Sequence, residues 1–399
     1  MYARAVGKAS FSSAVRVVTR TCYGFTMKTL LTVACVASLF IAVPAAAAPP
    51  GLIAATPIPG APNGARAFRL RYLTTSGSGA SVEATGIVVV PAGSVPASGR
   101  DIVAWTHGTS GIADACAPSV NDYRFSIIAG LEPMLARGYV VVSPDYAGLG
   151  TPGPHPYLVG VDTARAVLDA VRAVRAMRQA GASNRFAVWG ESQGGHAALW
   201  TGQLAARYAP DLKLIAVAAA APPTDLVANI AGSKVPAVRA LMTTYAGVSW
   251  SEVYRLPLST IARPAGVDLM HRLARNCVTL DGFRLSTKIG LARMTYVLRD
   301  VDLATSPRWA PLLRLNSVPA TPLGVPLLVA QGSKDVIVAP DVTRRFVDRM
   351  CAAGQPLRFV SVDGGDHVTI AKRTAETTIA WIGDRFAGRV APNDCPIGR

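Results

Sequence analysis

The stretch "VWGESQGGHAAL", Val188 to Leu199, decides the fold. It opens on bulky apolar residues, passes through Gly190-Glu191-Ser192-Gln193-Gly194, and runs into small helix formers. The pentapeptide fits G-x-S-x-G, a strained strand-to-helix turn that projects a serine hydroxyl at the edge of a sheet. Side chains two residues either side of the serine would collide in so tight a turn, so both positions are glycine. Gly195 adds further room. A serine at a helix N-terminus also sits where backbone N–H groups favour negative charge. The bare pentapeptide is weak evidence. Its placement strengthens it, because it follows "RFAVW" and precedes "QGGHAALWTGQLAAR". The bland alternative is a Gly-rich turn that packs a helix onto a sheet.

Working outward, short apolar runs read as strands at Phe68–Leu73, Val82–Val90, Asp101–Trp105, Tyr139–Ser143, Arg185–Trp189, Leu214–Ala220, Pro326–Ala330 and Leu357–Val362. The first two are expected to pair as a hairpin. The later ones are continuous and apolar, as central strands buried on both faces are. Helical stretches lie between them at Asn121–Arg137, Asp162–Gln179, Gln193–Arg207, Pro340–Cys351 and Ile370–Arg385. The alternation predicts an α/β fold, a mostly parallel central sheet flanked by helices. A Pro/Gly-rich lead-in, Pro49–Gly64, leads into these apolar runs, and no strand is read within it. The core is expected over 49–223 and 307–399. Residues 224–306 lack strand–helix pairs and read as helical pieces, among them Val235–Tyr245 and Thr287–Arg299, in an insertion too long for a loop.

The chain has 399 residues, half of them apolar and 16 % charged, which excludes a disordered protein. Residues 1–48 are set apart. "MKTLLTVACVASLFIAVPAAAAPP", Met27–Pro50, has a lysine, an apolar stretch and a run of alanines, the plan of a secretory signal with cleavage after Ala47 or Ala48. The apolar stretch falls short of the ~20 residues of a membrane span. Met27 is a plausible second start. Export predicts a secreted or periplasmic protein, and it makes the four cysteines beyond residue 48 (Cys116, Cys277, Cys351, Cys395) candidates for two disulfides. The net charge is +16; residues 1–48 carry five basic residues and no acids, so the remainder carries about +11. The Lys and Arg residues are scattered with no aromatic-interleaved run, which argues against nucleic acid and for a solvated surface that anionic lipid or wall polymers could attract. No His/Cys cluster has metal-ligand spacing, and no phosphate or dinucleotide loop is present, so neither metal nor cofactor is expected.

A serine hydroxyl needs a base. Of the five histidines, only His367 lies beyond residue 271, on a Gly-rich loop after the last strand in "FVSVDGGDHVTI". That is where the base falls in the order Ser…Asp…His. His271 lies in the insertion, His155 in a Pro-rich loop, and His196 one helical turn past Ser192, where it packs below. Asp335 follows the strand in "VPLLVAQGSKDVIV" and is the candidate acid; Asp341 is second, and Asp363 and Asp366 are too near His367 in sequence. The oxyanion needs preorganised donors. One is the backbone N–H of Gln193; the other comes from the loop after Asp101–Trp105, from Thr109 or alternatively Gly108, with His107 structural.

Together "THGTSG" (Thr106–Gly111), "PDYAGLGTPGPHPYL" (Pro144–Leu158), "GESQGGHAALW" (Gly190–Trp200) and "GSKDVIVAP" (Gly332–Pro340) resemble the secretory lipase family, the yeast lipase A-like branch of the α/β-hydrolases, over residues 65 to 395. The resemblance implies hydrolysis of carboxylic esters, a helical lid over 224–306, and bridges Cys116–Cys277 and Cys351–Cys395. The second bridge closes a separation of 44 residues, worth roughly 3–4 kcal/mol in chain entropy. Carried onto this chain, the family's triad is Ser192, Asp335 and His367. One departure stands out: the yeast enzymes have an acidic residue at the oxyanion position, where this chain has His-Gly-Thr. The expectation is therefore a secreted lipase or esterase acting on lipophilic esters, in transient contact with a lipid interface and of undetermined oligomeric state. The rivals are a serine peptidase of the same fold and a non-catalytic surface-binding protein.

Overall fold

The computed structural model describes residues 51–278 and 284–395; the expected signal segment lies outside them. Nine strands form one sheet: β1 Gly51–Ile58, β2 Arg66–Thr75, β3 Ser81–Val90, β4 Arg100–Thr106, β5 Val140–Ala147, β6 Ala182–Glu191, β7 Lys213–Ala220, β8 Leu327–Gly332 and β9 Leu357–Val362. Their spatial order is β1-β2-β3-β5-β4-β6-β7-β8-β9. The six strands β5-β4-β6-β7-β8-β9 run parallel to one another, and β1, β2 and β3 add an antiparallel flank, β3 pairing antiparallel with β5. The ten α-helices of the described residues are α1 Leu131–Ala136, α2 Gly160–Ala176, α3 Gln193–Tyr208, α4 Pro236–Val253, α5 Pro264–Ala274, α6 Leu285–Val297, α7 Ala310–Asn316, α8 Pro340–Ala352, α9 Ile370–Arg373 and α10 Ala375–Phe386. This is the α/β-hydrolase arrangement.

The apolar runs bury both faces of the sheet. Along β4, Ile102 and Ala104 face a core shared with α2, α3 and α8, while Val103 and Trp105 face a core shared with α1 and α10. β6 divides the same way: Phe186 and Val188 on one side, Ala187 and Trp189 on the other. Strands with no solvent face leave no period-2 alternation, hence the continuous apolar text.

Three local readings need correction. The lead-in Pro49–Gly64 contains β1, paired antiparallel with β2. β1 is an edge strand, where a proline is tolerated, and Pro57 obscures the strand signal. The helix expected over Asn121–Arg137 shrinks to α1, because Gly130 takes φ +64° at its N-cap and residues before it form turns. The helix expected over Ile370–Arg385 breaks at Thr374, whose hydroxyl donates back to Ile370 O at 2.8 Å.

Between β7 and β8 the chain builds a separate apolar cluster from α4, α5 and α6 with Met242, Tyr245, Trp250, Met270 and Met294. It takes in Trp309 and Leu313 from beyond residue 306, and Tyr157 and Leu158 from the loop between β5 and α2. Cys116–Cys277 and Cys351–Cys395 are both bridged. The first bridge, with the Val278 N–H donating to Ser110 O at 2.8 Å, fastens this cluster to the loop leaving β4. No helix of the described residues is long and apolar enough to cross a membrane.

Candidate active site

Ser192 occupies the single residue between β6 and α3 at φ +52°, ψ −122°. That backbone is costly for a residue with a Cβ, and it persists only because the surroundings impose it. The Ser192 N–H donates to Ala220 O, at the end of β7, at 2.9 Å. Thr106 Oγ1 donates to Gly194 O at 2.7 Å, which locks the end of β4 onto the turn. A Cβ on Gly194 would overlap Thr106 O, and one on Gly190 would overlap Thr106 Oγ1.

The hydroxyl lies 2.8 Å from His367 Nε2, and His367 Nδ1 lies 2.8 Å from Asp335 Oδ2. The loops carrying these two residues are zipped together: Lys334 N–H donates to Gly365 O at 2.9 Å and Ser333 N–H to Val362 O at 3.0 Å. Gly332 has no Cβ because Gly365 O occupies that space. Asp335 is buried, 4 % exposed. Its Oδ1 accepts the N–H groups of Ile337 and Val338, both at 2.9 Å, and its Oδ2 also accepts from Gln331 Nε2 at 2.9 Å. These donors satisfy a buried carboxylate and aim it at the imidazole. Asp341 instead pairs with Arg345 on the surface of α8, Asp363 accepts from Ser333 Oγ, and Asp366 caps Thr369.

The other histidines are held elsewhere. His196 Nε2 donates to Asn316 O at 2.7 Å, and His107 packs its ring on Tyr146 with centroids 4.8 Å apart. Both are buried, which pushes their imidazoles down, His196 to about 4. His271 is exposed on α5. As the first residue of α3, Gln193 has a backbone N–H with no intrahelical acceptor. Gly108 runs past Glu191, whose Cγ would lie 3.6 Å from a Cβ there, and Thr109 Oγ1 meets Tyr157 OH at 3.0 Å.

Two groups at the site escaped the reading of the sequence. Burial pushes the carboxyl of Glu191 up to about 7, against the pull of His367 and Lys372. The signal was available, since the residue before the nucleophile in so sharp a turn cannot leave the site. His155, in "GPHPY", reaches the side chain of Gln193. Among the described residues no group of three or more His, Cys, Asp or Glu could hold a metal.

The family model described as "Secretory lipase" matches residues 126–394. The chain belongs to the secretory lipase family. A Mycobacterium tuberculosis protein named as a probable inactive lipase is 25 % identical over 354 residues, 82 % of this chain and 75 % of that protein. The secreted triacylglycerol lipase LIP4 of Malassezia globosa is 23 % identical over 365 residues, 82 % of this chain and 74 % of that protein. The structure of Candida antarctica lipase A in its closed state superposes with a TM-score of 0.71 over 86 % of this chain and 84 % of that one, at 19 % identity, a likeness of fold. For this member of the secretory lipases, family and fold support ester hydrolysis of the lipase and esterase kind. The relative named inactive leaves turnover by this chain to measurement. The family, the secreted relative and the two disulfides fit an extracellular protein.

Proposed function

We propose that the chain is an exported serine hydrolase that cleaves lipophilic carboxylic esters, acylglycerols among them, through an acyl-enzyme on Ser192. One observation carries the reading: an unbroken hydrogen-bond line from Ser192 Oγ through His367 to Asp335. Ser192 Oγ attacks the ester carbonyl and His367 Nε2 takes its proton. Asp335 accepts the Nδ1–H, fixes the tautomer and stabilises the imidazolium. The tetrahedral oxyanion is held by the N–H of Gln193 and one from Thr109 or Gly108. Collapse breaks the bond to the leaving alcohol, which receives the proton from Nε2. Water then repeats the cycle on the acyl-enzyme, releasing the carboxylic acid and restoring Ser192.

Residues 1–48 serve as the export signal in this reading, and 224–306 as a lid. Support for contact with a lipid interface comes from α6. Leu285, Ile289 and Tyr296 share its exposed face, at 74 %, 51 % and 68 % exposure. Lys288 and Arg293 flank that face, and α6 carries no acidic residue, so an anionic lipid surface suits it.

The test is p-nitrophenyl ester hydrolysis by wild type and Ser192→Ala. Activity should fall by at least about 10³-fold in the variant; equal rates refute the reading. The relative named inactive favours one rival, a scaffold without turnover. A fluorophosphonate probe separates them, since it labels Ser192 of an enzyme and leaves the scaffold untouched.

A further inference from the structure

Gln193 and Thr109 supply the two proposed oxyanion contacts from different elements, yet their side chains end on one short segment. The Gln193 amide Nε2 lies 3.0 Å from His155 Nε2, and Thr109 Oγ1 lies 3.0 Å from Tyr157 OH. The protonation of His155 follows from its far side. Nδ1 faces Ala147 O at 3.0 Å. A carbonyl only accepts, so Nδ1 carries the hydrogen, Nε2 is the acceptor, and the Gln193 amide points its NH₂ at the ring. His155 and Gln193 are 2 % and 1 % exposed. Burial pushes the imidazole down to about 3, so it stays neutral at working pH.

The segment is itself fastened to the insertion. Ser249 on α4 donates its hydroxyl to His155 O at 2.7 Å and accepts the Tyr157 N–H at 2.9 Å. Next to it, the Trp250 indole donates to Tyr157 O at 2.8 Å. Tyr146 stacks on the His155 ring, centroids 5.9 Å apart. One helix of the insertion therefore holds the two residues that hold the oxyanion loop and the first turn of α3.

We infer that His155 is a positioning residue: as a neutral acceptor it fixes Gln193, and with Tyr157 it transmits the placement of α4 to both oxyanion donors. The inference rests on the proposed esterase reading. Positioning of this kind acts on the transition state and spares ground-state binding. A packing role lowers stability and leaves the chemical step alone.

The experiment uses the mature chain and p-nitrophenyl butyrate. His155→Leu removes the acceptor; His155→Gln keeps an oxygen that can accept and an N–H that can reach Ala147 O. Expected for His155→Leu is a kcat loss of roughly 10- to 100-fold with KM within about threefold. Affinity for a trifluoromethyl ketone, which forms a hemiketal oxyanion on Ser192, should fall by the same factor, and His155→Gln should recover most of both. Gln193→Leu alone should reproduce the loss while keeping its backbone N–H, and adding it to His155→Leu should cost less than about threefold more. Losses that multiply in the double variant would overturn the inference, and unchanged kcat in Gln193→Leu would overturn it even if His155→Leu fails to fold. An inert wild-type chain removes the esterase reading and this inference together; an active wild type with those outcomes removes the inference alone.

Discussion

Glu191 sits one residue from the nucleophile with a carboxyl that burial holds at about 7, against its ordinary 4.5. Below 4.5 the folded and unfolded chains are both protonated there, and the residue has no bearing on pH dependence. Between those values the folded chain keeps the proton that the unfolded chain gives up. Stability therefore falls as pH rises across that window, and above about 7, where the folded chain also carries the charge, the loss is complete. Glu191→Gln should therefore raise Tm by a few degrees at pH 8 and change it little at pH 4. Thermal melts at the two pH values check this; an equal shift at both counts against it. That Ser192, Asp335 and His367 would meet was legible, because each follows a recognisable strand and parallel strands bring such ends to one rim. His155 was not, because the role inferred for it lies in two hydrogen bonds, across 38 and 8 positions, that depend on a tautomer.

The elbow is an element defined by absence of side chains. Thr106 fills the spaces that Cβ atoms on Gly190 and Gly194 would need, and at Gly194 the obstacle is a backbone oxygen that cannot rotate away. Gly194→Ala should cost about 3 kcal/mol or more, seen as a Tm loss of several degrees together with loss of ester hydrolysis. A variant melting within a degree of wild type would contradict the packing account. Elements buried on both faces were readable from their apolar runs, as β4 and β6 illustrate. Elements decided by one local contact were not: β1 depends on its partner β2, and the break before α10 depends on the hydroxyl of Thr374.

Across the whole molecule, the two bridges close very different lengths of chain, 161 and 44 residues. On the chain-entropy account the longer is worth about 5 kcal/mol and the shorter roughly 3–4 kcal/mol. Replacing Cys116 and Cys277 together by Ser should lower Tm more than the same change at Cys351 and Cys395. The reverse order, read by calorimetry, would show that residual structure or packing, not loop closure, sets the difference. Helical pieces between β7 and β8 were legible as a lapse in rhythm. Its internal packing was not, since Trp309 and Leu313 join it from a stretch that reads as core.

The Cys116–Cys277 link also has a bearing on how the protein can be made. A bacterial cytosol keeps thiols reduced, so material produced there would carry the helices between β7 and β8 without their covalent anchor. Yield of well-formed product should then follow the oxidising power of the compartment or refolding buffer far more closely than growth temperature or inducer dose.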